Sequence, residues 1–339
     1  MLEIQLRKKV IAEVMKSIEM KWIKKGLVYC PTAKLDWSVS HAQVPVADYL
    51  IEKNVIKVYF STRDNFGRSR PGYVILDADD PSKILEVSSL PILDLGNLGT
   101  FDDCGVMPSW IVNRLNGEKW LYYIGWNVRN TIPYHNAVGL AISTDEGATF
   151  NRFSEGPLWE RDYTEPHYSG TSCVIFDKGV WKNWYLSCTN WRIINGRAEP
   201  RYHIKYAESE DGISWKRAGT IAIDYIDDNE AGIVKASVII ENGIYKMWYS
   251  YRSFVEYRTS PKASYRIGYA ESTNGIDWER NDENKDLTLS VSNKTEDWDS
   301  LMVEYPHIID VKGKRLMFYN GNGFGKSGFG YAERELINE

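Results

Sequence analysis

The chain is poor in histidine and cysteine, and it has no long apolar run and no basic run. Four cysteines among 339 residues, Cys30, Cys104, Cys173 and Cys188, lack the close pairing of a zinc site, and nothing else outlines a disulfide framework, so they read as free thiols in a reducing compartment. No stretch reaches the roughly 18 apolar residues of a membrane span, and the N-terminus lacks the basic, apolar, small-residue order of a signal peptide. A cytoplasmic location is the expectation. With a net charge of −5 and no Lys/Arg cluster, nucleic acid is not an expected partner. No spacing predicts a metal site or a cofactor, and nothing bears on oligomeric state.

What the chain has in abundance is aromatic side chains in a repeat. Thirteen Trp and 22 Tyr are a high load. Two segments nearly copy one another, YHIKYAESEDGISWKR from Tyr202 and YRIGYAESTNGIDWER from Tyr265, and weaker copies begin at Asn136, Gly328 and Arg70. Tyr206, Tyr269 and Tyr331 lie 63 and 62 positions apart, a period too long for a helical solenoid and suited to a four-stranded blade with generous loops. Before each copy comes a short alternating aromatic strand, as in KWLYYIGWN and YKMWYSYR, preceded by a further apolar segment. Five copies predict an all-β fold: a five-bladed β-propeller of four-stranded antiparallel blades over residues 21–339, with blades near 30–85, 101–153, 165–217, 230–280 and 298–335. The aromatics chiefly fill the space between blades. Residues 1–20 have helical spacing, with Ile4, Val10, Ile11, Val14, Met15 and Ile18 near one face, and predict a short N-terminal helical extension, native or lying upstream of a start at Met20.

Inner strands of a propeller surround its channel, and the loops before them converge on one face. With the inner strands aligned on Pro45, Pro108, Thr171, Ala236 and Pro306, Asp102, Glu165 and Glu230 fall six positions upstream in three successive blades. Of the adjacent Asp102 and Asp103, strand parity favours Asp103 as inward. Asp36 and His41 in the first blade, His167 in the third, Lys235 in the fourth and Glu304 in the fifth complete the set. Arg63, Trp126, Asn127, Trp191, Arg252 and Asn320 share a position at or just past the end of the second strand, where polar and aromatic groups suit hydrogen bonding to hydroxyls and stacking on sugar faces.

Five blades with S-x-D-G-x-x-W turns and acids before successive inner strands resemble the propeller superfamily of arabinanases, β-fructosidases and levansucrases over about Lys21 to Glu335. The resemblance implies an Asp in blade one as base or nucleophile, an Asp in blade two that orients substrate or tunes a pKa, matched at Asp103 or Asp102, and a general-acid Glu in blade three, matched at Glu165. Blade one departs from the pattern: Val39-Ser40-His41-Ala42 stands where an acid is expected, and only Asp36 is near. A channel calcium, seen in some relatives, is not predicted. EAGIVKASVI, WDSLMVEYPHI and MFYNGNGFGKSGFGYA also resemble propeller proteins of bacterial surface-polysaccharide gene clusters.

Glycoside chemistry needs one protonated and one ionised carboxyl flanking the anomeric carbon. The expected catalytic set is Glu165 as acid, with Asp103 and Glu230 competing for the second role. The expected partner is a carbohydrate. The primary reading is a glycoside hydrolase or transglycosylase. A phosphorylase or other sugar transferase is a second, because Lys235, Arg252, His41 and His167 suit an anion, and a non-catalytic glycan-binding propeller is a third.

Overall fold

The computed structural model describes residues 21–336; the helix expected over residues 1–20 lies outside them. Strand β1 (Ile23–Tyr29) is followed by an antiparallel meander of β2 (Ser40–Leu50), β3 (Val55–Arg63), β4 (Ser69–Asp77) and β5 (Ile84–Val87). The meander recurs as β6 (Gly105–Asn113), β7 (Lys119–Asn127), β8 (His135–Ser143) and β9 (Asn151–Arg152). It recurs again as β10 (Ser169–Asp177), β11 (Val180–Ile194), β12 (Arg197–Ser209) and β13 (Ile221–Ile223), then as β14 (Val234–Glu241), β15 (Ile244–Tyr251), β16 (Arg266–Ser272) and β17 (Glu279–Arg280). The first two units touch through one parallel bridge, Ser69 to Gly105. The chain is thus all-β in four-stranded antiparallel sheets, as expected.

The last unit, β18 (Glu304–Val311), β19 (Lys314–Asn320) and β20 (Phe329–Glu335), takes its outer strand from the other end of the chain, since β1 pairs with β20. The sequence reading began the first blade at residue 30 and left residues 23–29 in no blade. That segment, IKKGLVY, lies far from the repeat it completes, so periodicity could not assign it.

The innermost strands β2, β6, β10, β14 and β18 pack against one another in that order, and β18 packs back on β2. Every one of them breaks register with its neighbour near its start. Such bulges bend the strand and free a backbone group from the ladder, and small hydroxyls of adjacent units take up the freed groups. Ser172 N–H donates to Ser109 Oγ (2.6 Å), Lys235 N–H to Thr171 Oγ1 (3.1 Å), Ile308 N–H to Ser237 Oγ (2.9 Å) and Val44 N–H to Asn320 Oδ1 (3.0 Å). The Ser and Thr of the MPSW, GTS and KAS segments are therefore the lacing between units.

The repeated turns do the same at the periphery. In SEDG, Ser209 Oγ accepts the Gly212 N–H and Asp211 accepts those of Ile213 and Ser214, which hold its carboxyl down to about 2. Gly212, at φ +77°, turns its carbonyl to the Tyr122 hydroxyl of the preceding unit (2.7 Å), and Gly275 does so for the Trp184 indole (2.8 Å). The aromatic core, including the fully buried Trp184, Trp248, Tyr122 and Tyr245, lies between sheets, where flat rings cover both faces.

Candidate functional site

The carboxylates that precede the inner strands bond to partners within their own units. Asp102 is fully buried and accepts from Thr100 Oγ1 (2.9 Å), the Tyr123 hydroxyl (3.1 Å) and Arg152 Nε (2.8 Å). Glu165 accepts from the Tyr185 hydroxyl (2.8 Å), Ser187 Oγ (3.3 Å), Lys205 Nζ (3.0 Å) and Arg217 (3.1 Å). Glu230 takes both terminal nitrogens of Arg280 (2.8 Å each) and the Ile226 N–H (3.0 Å). Asp299 accepts from the Tyr319 hydroxyl (3.0 Å) and Lys24 on the closing strand β1 (2.6 Å). Each is one part of a staple: an acid ahead of the inner strand and a cation from the outer strand or the segment leading to it, joined by a second-strand Tyr in every case but Glu230. In the fourth unit Tyr249 bonds to Asp282 instead, and Arg280 bridges the two acids.

Glycine makes room for these staples. Opposite Tyr123 stands Gly139, where a Cβ would sit 2.3 Å from the phenol ring. Glu165 and Glu230, expected as catalytic carboxylates, and Asp102, expected to bind substrate, each form part of such a staple. All their oxygens are engaged with hydroxyls, backbone N–H groups and permanent cations inside separate sheets, which accounts for their presence as cross-strand stabilisers.

On the face where the inner strands begin, called here the upper face, a different group assembles. Glu304, the first residue of β18, has no exposed surface. Asn320 donates to its Oε1 (2.8 Å), Oε2 has no partner, and burial pushes its pKa up to about 8. Arg252 is buried nearby and stacks on Tyr257 at 3.8 Å. Its donors are spent on the Tyr265 hydroxyl (3.1 Å) and the carbonyls of Ser253 (2.9 Å) and Pro200 (3.1 Å). It is thereby tied to the Tyr257 and Tyr265 side chains and to two backbone carbonyls. Tyr202 and Tyr265 join hydroxyl to hydroxyl, while Trp191 packs with Tyr134 and Tyr168 at centroid separations of 5.6 Å. Tyr305, at φ +58° in its bulge, packs against Tyr265 at 6.1 Å.

Lys235 is not on this surface either. It has no exposed area, its Nζ has no partner, and it lies 5.1 Å over the Trp110 ring. Burial brings its pKa down to about 8. His307 packs on the same indole (4.7 Å); its Nε2 donates to the Ala47 carbonyl (3.0 Å), leaving Nδ1 without a partner. Trp110, Lys235 and His307 thus close the middle of the ring.

The remaining expected residues scatter along the upper face. Asp103 is half-buried, with Oδ2 accepting the Gly99 N–H (3.0 Å) and Oδ1 unpartnered. Arg63 is half-buried and unpaired, beside His41, whose Nδ1 pairs with Ser40 Oγ (2.9 Å). Asp36 is exposed in a turn. Trp126 donates to Ser69 Oγ (2.7 Å) and Asn127 to the Thr100 carbonyl (3.3 Å), both as joints between segments. His167 is half-buried. Sequence reasoning missed Tyr134, Tyr168, Tyr202, Tyr265, Tyr305 and Lys326. Tyr202 and Tyr265 were detectable, since they stand one 63-residue period apart. No cluster of three or more His, Cys, Asp or Glu able to hold a metal occurs among the described residues, nor does any helix long and apolar enough to cross a membrane.

The fold is that of glycoside hydrolase-like propellers. It matches a BT0996 RGII complex with a TM-score of 0.70 at 17% identity, covering 96% of this protein and 95% of that one. It also matches a thermostable family-43 glycoside hydrolase (0.62, 17%, 89% and 91%). A third match is a structure described as showing that the GH130 family of mannoside phosphorylases contains glycoside hydrolases targeting β-1,2 mannosidic linkages in Candida mannan (0.64, 15%, 92% and 89%). No protein-family model matches the chain. It is 39% identical over 316 residues to "Uncharacterized protein MT1551" of Mycobacterium tuberculosis strain CDC 1551 / Oshkosh and to "Uncharacterized protein Rv1502" of strain ATCC 25618 / H37Rv, covering 93% of this chain and all of each relative. The chain belongs to the family of these two proteins.

Proposed function

We propose that the units close as a five-bladed propeller and that the protein is a carbohydrate-active enzyme cleaving or transferring a glycosidic bond at the upper face. The observation that carries this reading is a contrast among carboxyl groups. Asp102, Glu165 and Glu230 have both oxygens engaged, whereas Asp103 Oδ1 and Glu304 Oε2 are unpartnered and belong to segments that begin at the same face.

Glu304 is the proton donor of this proposal, because a carboxyl pushed up to about 8 carries its proton at neutral pH, the state a general acid requires. Asp103 takes the second role, as nucleophile or as base toward water. Since Glu304 has no exposed surface, contact with a sugar requires the adjacent half-buried Tyr305 to move aside. The half-buried rings of Tyr134 and Trp191 supply surfaces on which sugar faces stack. The glycosidase and phosphorylase names of the structural neighbours agree with this class of chemistry.

The test is turnover of aryl glycosides and natural oligosaccharides by the full chain, with and without phosphate, beside Asp103→Asn and Glu304→Gln. Turnover lost in both variants supports the assignment, and turnover retained in both refutes it. A strict need for phosphate would mark a phosphorylase. Binding with no turnover would favour a glycan-binding propeller, the reading that the stapling of Asp102, Glu165 and Glu230 supports.

A further inference from the structure

We infer that Arg63, with His41 and Lys326 beside it, seats an oxyanion, so that the ligand of the upper face carries or is accompanied by a phosphate or carboxylate group. The inference rests on the carbohydrate reading above and names the chemical class of its ligand.

The backbone of Arg63 is pinned at the end of β3: it pairs with Ser40, and its carbonyl accepts the Val39 N–H (2.9 Å). Its side chain has no such anchor. Among the described residues the guanidinium makes no salt bridge, and its Nε is buried without a hydrogen-bond partner. Arg152 pairs with Asp102, Arg217 with Glu165 and Arg280 with Glu230, and Arg334, which has no salt bridge among the described residues, is held instead over the rings of Trp22 and Trp248. A guanidinium drawn from water without a counter-charge is costly, and such groups normally occur beside an anion.

Among the described residues no carboxylate pairs with it. Burial and the neighbouring Arg63 and Lys326 depress the His41 ring to about 4, which leaves it neutral and able to donate or accept a hydrogen bond. Lys326 sits on the loop folded over β2, where a Cβ on Gly325 would lie 2.7 Å from the Ala42 carbonyl. It is exposed and has no salt-bridge partner among the described residues. A planar guanidinium with an unpartnered N–H, a neighbouring lysine and a neutral imidazole, with no carboxylate paired to them among the described residues, suit the bidentate binding of a phosphate or carboxylate. The position is local, since the chain as a whole carries a net charge of −5.

The experiment is calorimetric titration of the full chain with inorganic phosphate, glucose 1-phosphate, glucuronate and neutral glucose, repeated on Arg63→Gln and Arg63→Lys, with urea unfolding of all three proteins. The expected result is saturable binding of at least one oxyanion ligand, weakened tenfold or more in Arg63→Gln and partly restored in Arg63→Lys. Arg63→Gln should be no less stable than the parent, because the side chain holds nothing in place. Phosphate binding alone would identify a free co-substrate, and binding of only the sugar phosphate or the uronate would place the charge on the glycan; both support the seat. Equal oxyanion affinity in Arg63→Gln, no saturable binding of any oxyanion, or a marked loss of stability in Arg63→Gln would overturn it. Arg63-dependent binding without glycoside turnover would leave the seat standing and sink the enzymatic reading instead.

Discussion

Replacing Glu304 by Gln should make the protein more stable as the pH rises, by an amount set by the carboxyl's own titration. An ordinary Glu loses its proton near 4.5, whereas burial pushes that of Glu304 up to about 8. Between those values the folded state binds more protons at this site than the unfolded state does, so the contribution is fully present below pH 4.5 and is lost as pH rises through 8. The full separation converts to about 5 kcal/mol at 1.36 kcal/mol per unit, a ceiling that water entry or a shift of Arg252 would lower. Glutamine keeps the shape and can still accept from Asn320 Nδ2, but it cannot ionise. The assay is urea unfolding of both proteins at intervals from pH 4 to 9, read as the difference between them, which cancels every other titrating group. That difference should climb by several kcal/mol across the interval, in favour of the variant. A flat difference would show that Glu304 is not held protonated and would remove it from the acid role. If Glu304 is also the catalytic donor, wild-type turnover should fall above pH 8 and the stabilised variant should be inactive.

Glu165→Gln should lower stability by about 3 kcal/mol, because Lys205 and Arg217 are left buried against a neutral amide; an intact melting temperature with abolished turnover would return Glu165 to the catalytic set. Gly139→Ala should cost about 1 to 3 kcal/mol, since its Cβ would fall 2.3 Å from the Tyr123 ring; unchanged thermal unfolding would mean that the ring can move freely. Lys235→Met should stabilise the protein by about 3 kcal/mol at pH 7, because burial lowers the ammonium from 10.5 to about 8. That gain should fade as pH rises from 8 to 10.5, where the unfolded chain holds the extra proton, and denaturation curves that show no gain at pH 7 would indicate an unseen counter-charge.

The architecture was legible because each unit repeats its own local chemistry: the Ser and Asp of the turns, the alternating aromatics and the hydroxyls of the inner strands all lie within one period. The staples around the carboxylates were not legible, because their partners are not local. Asp102 meets its Tyr 21 residues on and its Arg 50 residues on, Glu165 does so at 20 and 52, Glu230 finds Arg280 at 50, and Asp299 finds Tyr319 at 20. An acid followed by Tyr at about 20 and a cation at about 50 is a readable pattern once the strand order is known. A ring of acids aligned only on the inner strands looks the same whether it faces a channel or a sheet. Arg63 and Asn320 do end their second strands, as the repeat placed them. The burial of Lys235 over Trp110 was not legible, because the bulge that turns its backbone to φ +57° leaves no mark in the repeat.

The first unit breaks the staple, and the break falls beside Arg63. By register the counterpart of Tyr123, Tyr249 and Tyr319, each facing a glycine, is Phe60, which faces Gly72. Phe60 has no hydroxyl to offer a carboxylate. Trp37, next to the exposed Asp36, lies instead over Gly72, where a Cβ would meet its ring at 2.7 Å, and its indole donates to the Ser89 carbonyl (3.0 Å). An apolar ring thus holds together what an acid and a cation hold in the second, third and fifth units. The staple cations come from outer strands or the segments leading to them, as Arg152, Arg217 and Lys24 do, so the guanidinium of Arg63 at the end of β3 is not a staple cation that has lost its acid. The departure from the glycosidase pattern at Val39-Ser40-His41-Ala42 and the guanidinium of Arg63, which has no salt bridge among the described residues, are two neighbouring features of the first unit, and together they leave the end of β3 with a cation and no acid.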